Sequence, residues 1–389
     1  MSGFTNIFKN EVADTLGNRT LIIFTVALPF VMSFFFKGFM DTGVVRDIPI
    51  AVVDYDNSAS SRLLLQYLEA TPQLHIAHKV ASMEEAESLI RKTEVYGLVM
   101  VPKYFDRDLM LGRKPVVLNE FNQNLLVPGG LESSAVRKAV NALSLKVQSL
   151  VRLNNGGNPQ RLEVALEPVR LDSHIISNPF LNYRYYFLSA FLPVFLQIFV
   201  LLTSIYVIGQ DLKYQRGAQL MEMGKNHIPS IIFGKLAPYT IWFFLLGLVM
   251  FHSMATFLEL PINGSRPMLL LTLLLFILSG QAYAFFLAVA LPDIRSAMTM
   301  GNAIAALSLT MSGFSFPLMS MLPFFQWAGQ IFPFTQFLGI FKDLTVRGTP
   351  SFYVLPEIGI LLIMIIVPIT FGKPIYRKRL IQGGYPIKE

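Results

Sequence analysis

Apolar positions fall into two regimes along this chain. Long apolar runs lie at Leu21 to Met40, Tyr185 to Gly209, Ile231 to Phe257, Met268 to Leu291, Ala297 to Phe316 and Val354 to Phe371. A hydrocarbon core of about 30 Å asks a helix for roughly 18 apolar residues, so each run predicts a transmembrane helix. Six such helices put both chain ends on one side. Between the first and second runs the period changes. From about Thr42 to Asn182, short β-branched stretches alternate with amphipathic ones, the pattern of a soluble α/β or α+β domain. Strands are predicted at Ile48 to Asp54, Val95 to Pro102 and Pro115 to Asn122. Helices are predicted over "SRLLLQYLEA", with Ser60 or Ser61 as its cap, over "SMEEAESLIRK", where Ser82 and Glu85 have capping-box spacing, over "KYFDRDLMLGRK", and over the long "LESSAVRKAVNALSLKVQSLVRLN", which stops at "NNGGNP".

Three further stretches complete the layout. Residues 1–19 place Phe4, Ile7, Phe8, Val12 and Leu16 at helical spacing, which predicts an amphipathic elbow helix along the membrane surface. The apolar run after it, residues 20–40, exceeds a signal-peptide core and has no small-x-small cleavage site behind it, so it reads as a retained span. Residues 317–350 are apolar and aromatic but broken by Pro317, Pro323 and Pro333, and read as a re-entrant segment of short helices at the interface. The domain plan is therefore elbow, first span, a soluble domain over 41–183, five further spans within 184–372, and a tail over 373–389.

Charge fixes the sides. Lys9, Arg19, Lys213, Arg216, Lys225, Lys235, Arg295, Lys373, Arg377, Lys378, Arg379 and Lys388 flank the spans on the side of the termini, against only Arg266, Lys342 and Arg347 in the short loops opposite. The positive-inside bias makes the termini cytoplasmic and the inserted domain extracytoplasmic. The fold class is an α-helical integral membrane protein with six transmembrane helices and an inserted extracytoplasmic α/β (α+β) domain. Its net charge of +7 belongs to this distribution, and no nucleic-acid partner is expected.

Composition excludes several chemistries. The chain has no Cys, which removes disulfides, thiol nucleophiles and zinc–thiolate sites, and its five His form no HExxH motif. No catalytic residue, metal site or cofactor is expected on this chain. "GAQLMEMGK" has two residues too many between its glycines for a phosphate loop and continues with Asn226, and "LSGQ" (Leu278 to Gln281) lies inside an apolar span. Asp54, Asp56 and Asn57 lack the later Gly and Glu of a calcium loop and read as a turn closing a strand. Lys37, near the outer end of the first span, is placed to snorkel to the interface.

The polar connection between the second and third spans carries a family resemblance. "DLKYQRGAQLMEMGKNHIPSIIFGKLAPY" is similar to the corresponding connection in type-two exporter permeases of the ATP-binding-cassette class, with Glu222, Pro229, Gly234, Lys235, Pro238 and Tyr239 at matching places. "IAVVDYDNSASSRLLLQYLEA" with "YGLVMVPKYFDRDLMLGRKP" resembles the outer domain of the subfamily with a large insertion after the first span. "GFSFPLMSMLPFFQWAGQIFPFTQFLGIFKDLTVRG" resembles its segment between the last two spans.

The resemblance implies a permease subunit moving a hydrophobic or amphipathic substrate outward across a bacterial inner membrane. ATP and Mg would be bound by a separate ATPase subunit. It implies a cytoplasmic coupling helix at about 211–230, with Asp211, Arg216, Gly217, Glu222, Gly224, Lys225 and Pro229 serving ATPase coupling. It also implies pairing with a second permease copy or paralogue around a path lined by the second and fifth spans, where Phe195, Gln197, Phe199, Thr203, Met300, Asn302, Met311 and Phe314 are candidates. Membrane lipids and a periplasmic adaptor are the remaining expected partners. The alternative is a membrane-anchored extracytoplasmic receptor or assembly scaffold that transports nothing. A Gly-bounded cytoplasmic helix and a Pro-broken outer segment favour the exporter.

Overall fold

Strand β1 (Ile48–Asp54) is buried along most of its length, because it is an inner strand covered on both faces. The computed structural model describes residues 2–39, 46–111, 113–121, 126–154, 183–257 and 260–385. By contacts the chain separates into a unit holding β1 and its surroundings and a second unit of N-terminal helices plus everything from Tyr183 onward.

In the first unit a four-stranded sheet runs in the order β2–β1–β3–β4, with β2 at Leu74–Val80, β3 at Gly97–Val101 and β4 at Leu118–Phe121. β1 pairs in parallel with β2 and β3, whereas β4 returns antiparallel to β3. Alternation along the strands divides the core. Ile50, Val52, Val99 and Val101 face α4 (Ala59–Glu69) and the long α7 (Leu126–Asn154), while Ala51, Val53 and Leu98 face α5 (Met83–Arg91). A short α6 (Phe105–Met110) follows β3.

The sequence pattern shows three of these strands and misses β2. "LHIAHKV" buries only Leu74, exposes His75, His78 and Lys79, and its register slips opposite Ile50/Ala51, so no clean period of two survives. The cap of α4 is Ser58, whose Oγ accepts from Ser61 N at 3.1 Å; the Ser60 hydroxyl is turned instead to Asp106. Ser82 caps α5 and Glu85 answers it, accepting from Ala81 N at 3.3 Å. Asp54 Oδ1 accepts from Asp56 N and Asn57 N at 3.0 Å each, a turn that closes β1.

The second unit is helical. α1 (Ser2–Gly17) meets the next helix at 86°, and Asn18 caps the new start by accepting from Thr20 N and Leu21 N. That helix runs through α2 (Arg19–Ile22), a π-helical turn (Ile23–Ala27) and α3 (Leu28–Phe39). There follow α8 (Tyr183–Lys213), the short α9 (Gly217–Met223), α10 (Ile228–Phe257), α11 (Arg266–Ala290) and α12 (Ile294–Met311). Prolines then open α13 (Pro323–Gln330) and α14 (Pro333–Lys342), where a missing N–H costs nothing, and α15 (Leu355–Gln382) ends the bundle.

Among the described residues four helices are long and apolar enough to cross a membrane, or five if the bent pair Gly3–Gly17 and Arg19–Met32 forms one span. The protein is thus a multi-pass helical membrane protein. α12 falls outside that set: its 18 residues include Arg295, Ser296, Thr299, Asn302, Ser308 and Thr310. One apolar core fills the bundle around Phe243, Phe276, Phe334 and Phe337, with the Phe276 and Phe337 rings stacked at 4.3 Å. A second core joins Ile7, Ile208, Leu212, Leu220, Ile231, Phe285, Tyr376 and Leu380, and so ties α9 to α1, α8, α10, α11 and α15.

Glu132 of α7 is a buried carboxyl in the sheet unit, fully covered. It fits because Gly97 has no side chain there; a Cβ would come within 2.7 Å of Glu132 Oε1. Asn119 bridges it to the sheet: with its amide assigned so that the nitrogen faces the surrounding acceptors, it donates to Leu98 O at 3.1 Å and Glu132 Oε1 at 3.0 Å. Burial raises its pKa from 4.5 to about 7. The folded form therefore holds a proton that the unfolded chain releases near pH 4.5. The contribution is full below that pH, falls as pH rises toward about 7, and then levels off. Hydrogen exchange of the β3 and β4 amides in the full chain, corrected for intrinsic rates, is expected to show weaker protection at pH 8 than at pH 5. Glu132→Gln should abolish that difference, and an unchanged pH dependence in the variant would assign it elsewhere.

Candidate functional site

The seam between α1 and α10 is written at every fourth position of the elbow. Gly3, Ile7, Glu11 and Thr15 turn inward, whereas Phe4, Val12 and Leu16 of the expected apolar face stay exposed. Close approach needs glycine on both sides: a Cβ on Gly3 would lie 3.1 Å from Gly224 O, and one on Gly234 would lie 2.9 Å from Ile7 Cγ2 and 3.3 Å from Phe4 O. The exposed stripe is left free to enter lipid, as an interfacial helix requires.

Deeper along that seam sits an ionic cluster. Lys235 Nζ lies between Glu11 Oε2 and Asp211 Oδ2, the latter at 2.6 Å. All three residues are no more than 4% exposed. Tyr239 OH donates to Glu11 Oε1 at 2.8 Å and lies 2.7 Å from Thr15 Oγ1. Toward the surface Arg216 reaches Asp14 at 3.5 Å and Asp211 at 3.9 Å, and Asn18 donates to Gln210 Oε1 at 3.3 Å. Three carboxylates thus face two cations, contributed by the elbow, the end of α8, the approach to α9 and the first turns of α10. Among the described residues, Glu11 Oε2 and Asp211 Oδ2 have the ammonium as their sole close charge partner and no well-aligned hydrogen bond besides.

This cluster positions α9. The helix buries Gly217 and Leu220 and exposes Ala218, Gln219 and Glu222. A seven-residue helix has little stability of its own, so its place comes from what it packs on. The turns at its ends are not made by its glycines. Gln215 (φ 57°), Lys225 (φ 51°) and Asn226 (φ 58°) take the left-handed conformation, while Gly217 and Gly224 provide close approach. A Cβ on Gly217 would stand 2.3 Å from Leu380 O, and one on Gly224 would stand 2.5 Å from Ile231 Cγ1. Lys225 is exposed and Pro229 half-buried at the start of α10.

The expected path residues are spread over the bundle. Gln197, Phe199 and Thr203 are buried, and Gln197 Oε1 accepts from Ser308 Oγ at 3.4 Å, tying α8 to α12. Phe195 is half-buried against the main core. Phe314 is buried, edge-on to Phe187 and Phe191 at 5.8 and 5.9 Å. Met311 is half-buried, and Met300 and Asn302 are exposed on α12. The "LSGQ" string is inside α11, where Gln281 Oε1 accepts from Thr240 Oγ1 at 2.7 Å and its amide donates to Leu236 O.

Glu11 is the residue that sequence reasoning passes over. Its signal was a lone carboxylate in register with Ile7 and Thr15, together with Lys235 a few residues inside an apolar run and in need of a counter-ion. Removing one member of a buried ion set leaves uncompensated charge and costs roughly 3–5 kcal/mol. Lys235→Met should therefore melt well below the parent in detergent. The neutral triple variant Glu11→Gln, Asp211→Asn, Lys235→Met should recover most of that loss, and failure to recover would show that packing rather than charge holds the seam.

In comparisons with known families, residues 19–372 match the family described as ABC-2 family transporter protein. No curated protein matches the chain.

Proposed function

The chain belongs to the ABC-2 family of transporter proteins, and from that premise we propose that it is the permease subunit of an ATP-binding-cassette exporter. The family implies an ATPase partner on a separate chain. The observation that carries the reading is the α9 platform. Buried charge and apolar packing hold a short helix rigidly, with Ala218, Gln219 and Glu222 turned outward where a motor subunit can push it.

In this reading the termini and α9 are cytoplasmic in a bacterial inner membrane, and the sheet unit is extracytoplasmic. α12 crosses as well, giving six spans, and its exposed Met300 and Asn302 face a path shared with a second copy or paralogue. Asp211 and Arg216 act through the platform, and Glu222 and Lys225 meet the motor directly. Gly217, Gly224 and Pro229 set the fit of α9 and its exit into α10. The exported molecule is hydrophobic or amphipathic. Phe195, Phe199, Met311 and Phe314 shape its path from behind, and Gln197 and Thr203 fix the helices that frame it. The sheet unit offers a surface to a periplasmic adaptor.

Glu222 is exposed, so Glu222→Arg should leave insertion and melting temperature unchanged. Reversing a charge at the centre of a docking surface should weaken binding of the ATPase subunit by on the order of tenfold or more. The readouts are co-purification from detergent and nucleotide hydrolysis in nanodiscs. Parental binding and hydrolysis in this variant, and in Gln219→Arg beside it, would remove α9 from the coupling role.

A further inference from the structure

The C-terminal end of α15 and the residues after it lie against α9 and the ends of α8 and α11. Gly383 (φ 87°) ends the helix in the left-handed conformation and Gly384 (φ 114°) extends the turn, with Gly384 N donating to Arg379 O at 2.8 Å. The chain then lies against α8. A Cβ on Gly384 would stand 2.0 Å from Leu212 O, and Tyr385 N donates to that same oxygen at 3.2 Å.

The last turn of a helix leaves carbonyls without partners within the helix. Here one short segment supplies them for two helices at once. Tyr385 N serves α8 at Leu212, Tyr385 OH donates to Ala288 O of α11 at 2.8 Å, and Arg379 Nη2 donates to Leu291 O, just beyond α11, at 2.8 Å. Arg379 and Tyr385 also brace each other, the guanidinium lying 4.9 Å from the ring centre. α12 begins immediately after this point. At Gly209, an added Cβ would meet Ile294 of α12 at 2.8 Å and the Tyr385 hydroxyl at 3.0 Å.

The same turn of α15 touches α9. Leu380 O occupies the space where Gly217 lacks a side chain, Leu380 and Leu220 share one core, and Tyr376 is buried edge-on to Phe285 of α11 at 5.4 Å. Backbone against backbone is a stiff contact, because close-packed atoms cannot absorb a displacement by changing rotamer.

We propose that Arg379, Gly384 and Tyr385 form a strap that passes displacement of the coupling helix to the start of α12. Tyr385 and Arg379 are positioning residues for the transport cycle: they touch no substrate and act through the ends of α8 and α11. The proposal rests on the coupling reading above and adds the route by which α9 reaches the helix facing the path.

The absence of native cysteine allows one label on this chain. A bimane at Thr299→Cys, on the exposed side of α12, reports its surroundings in nanodiscs with the co-purified ATPase, without nucleotide and with ATP plus vanadate. The parental tail should give a nucleotide-dependent spectral change. Tyr385→Ala and Gly384→Val should retain the ATPase subunit and ATP hydrolysis but lose that change. Tyr385→Phe, which keeps the ring on Arg379 and removes one hydroxyl, should fold normally and give an intermediate change. An undiminished change in all three variants overturns the strap while leaving the coupling reading intact. A parental chain that brings down no ATPase overturns the coupling reading and the strap with it, and that result is visible before any variant is made.

Discussion

One lysine ammonium between two carboxylates holds the α9 end of this protein together. Glu11, Asp211 and Lys235 come from three separate stretches of chain, and each alone would be costly to bury. Together they determine where the elbow lies, where α8 stops and how α10 starts. Tyr239 and Thr15 complete the pairing on the elbow side, and Arg216 carries it outward to the approach of α9. Apolar packing sets this register only weakly, because Phe4, Val12 and Leu16 of the elbow face away from the seam and Ile7 is the one of its large apolar residues buried there.

That fixed junction gives stiffness where a motor would act. Backbone meets backbone where Gly3 lies against Gly224, Gly217 against Leu380 and Gly384 against Leu212. Contacts of that kind transmit a push, whereas interdigitated long side chains would yield. The Phe-rich core farther along the bundle is more conventional packing and carries α14 as a buried element. The division of labour is consistent with a membrane subunit that receives work at one end and rearranges helices along its length.

Much of this was legible in the sequence for physical reasons. Apolar run length revealed the long helices, charge asymmetry revealed the special character of the loop around α9, and the prolines at 323 and 333 marked where the broken segment starts its helices. Two features were hidden. β2 is an edge strand with a slipped register, so its polar face dominates its pattern. The role of Glu11 depends on a partner more than two hundred residues away in sequence, which no local period encodes. The glycines that bound α9 were visible in the sequence, but their task was not. They serve close approach, and the left-handed turns fall on Gln215, Lys225 and Asn226; of these Asn alone favours that conformation, whereas Gln and Lys give no such signal.

In the proposed function the outward face of α9 is the surface on which an ATPase subunit pushes. A photo-crosslinking amino acid placed at Gln219, which is exposed on that face, tests it directly in intact membranes. A single dominant crosslink to an ATP-binding-cassette ATPase, its yield changed by ATP plus vanadate, is the expected result. Crosslinks confined to lipid, to this chain or to a protein without nucleotide-binding activity would contradict it.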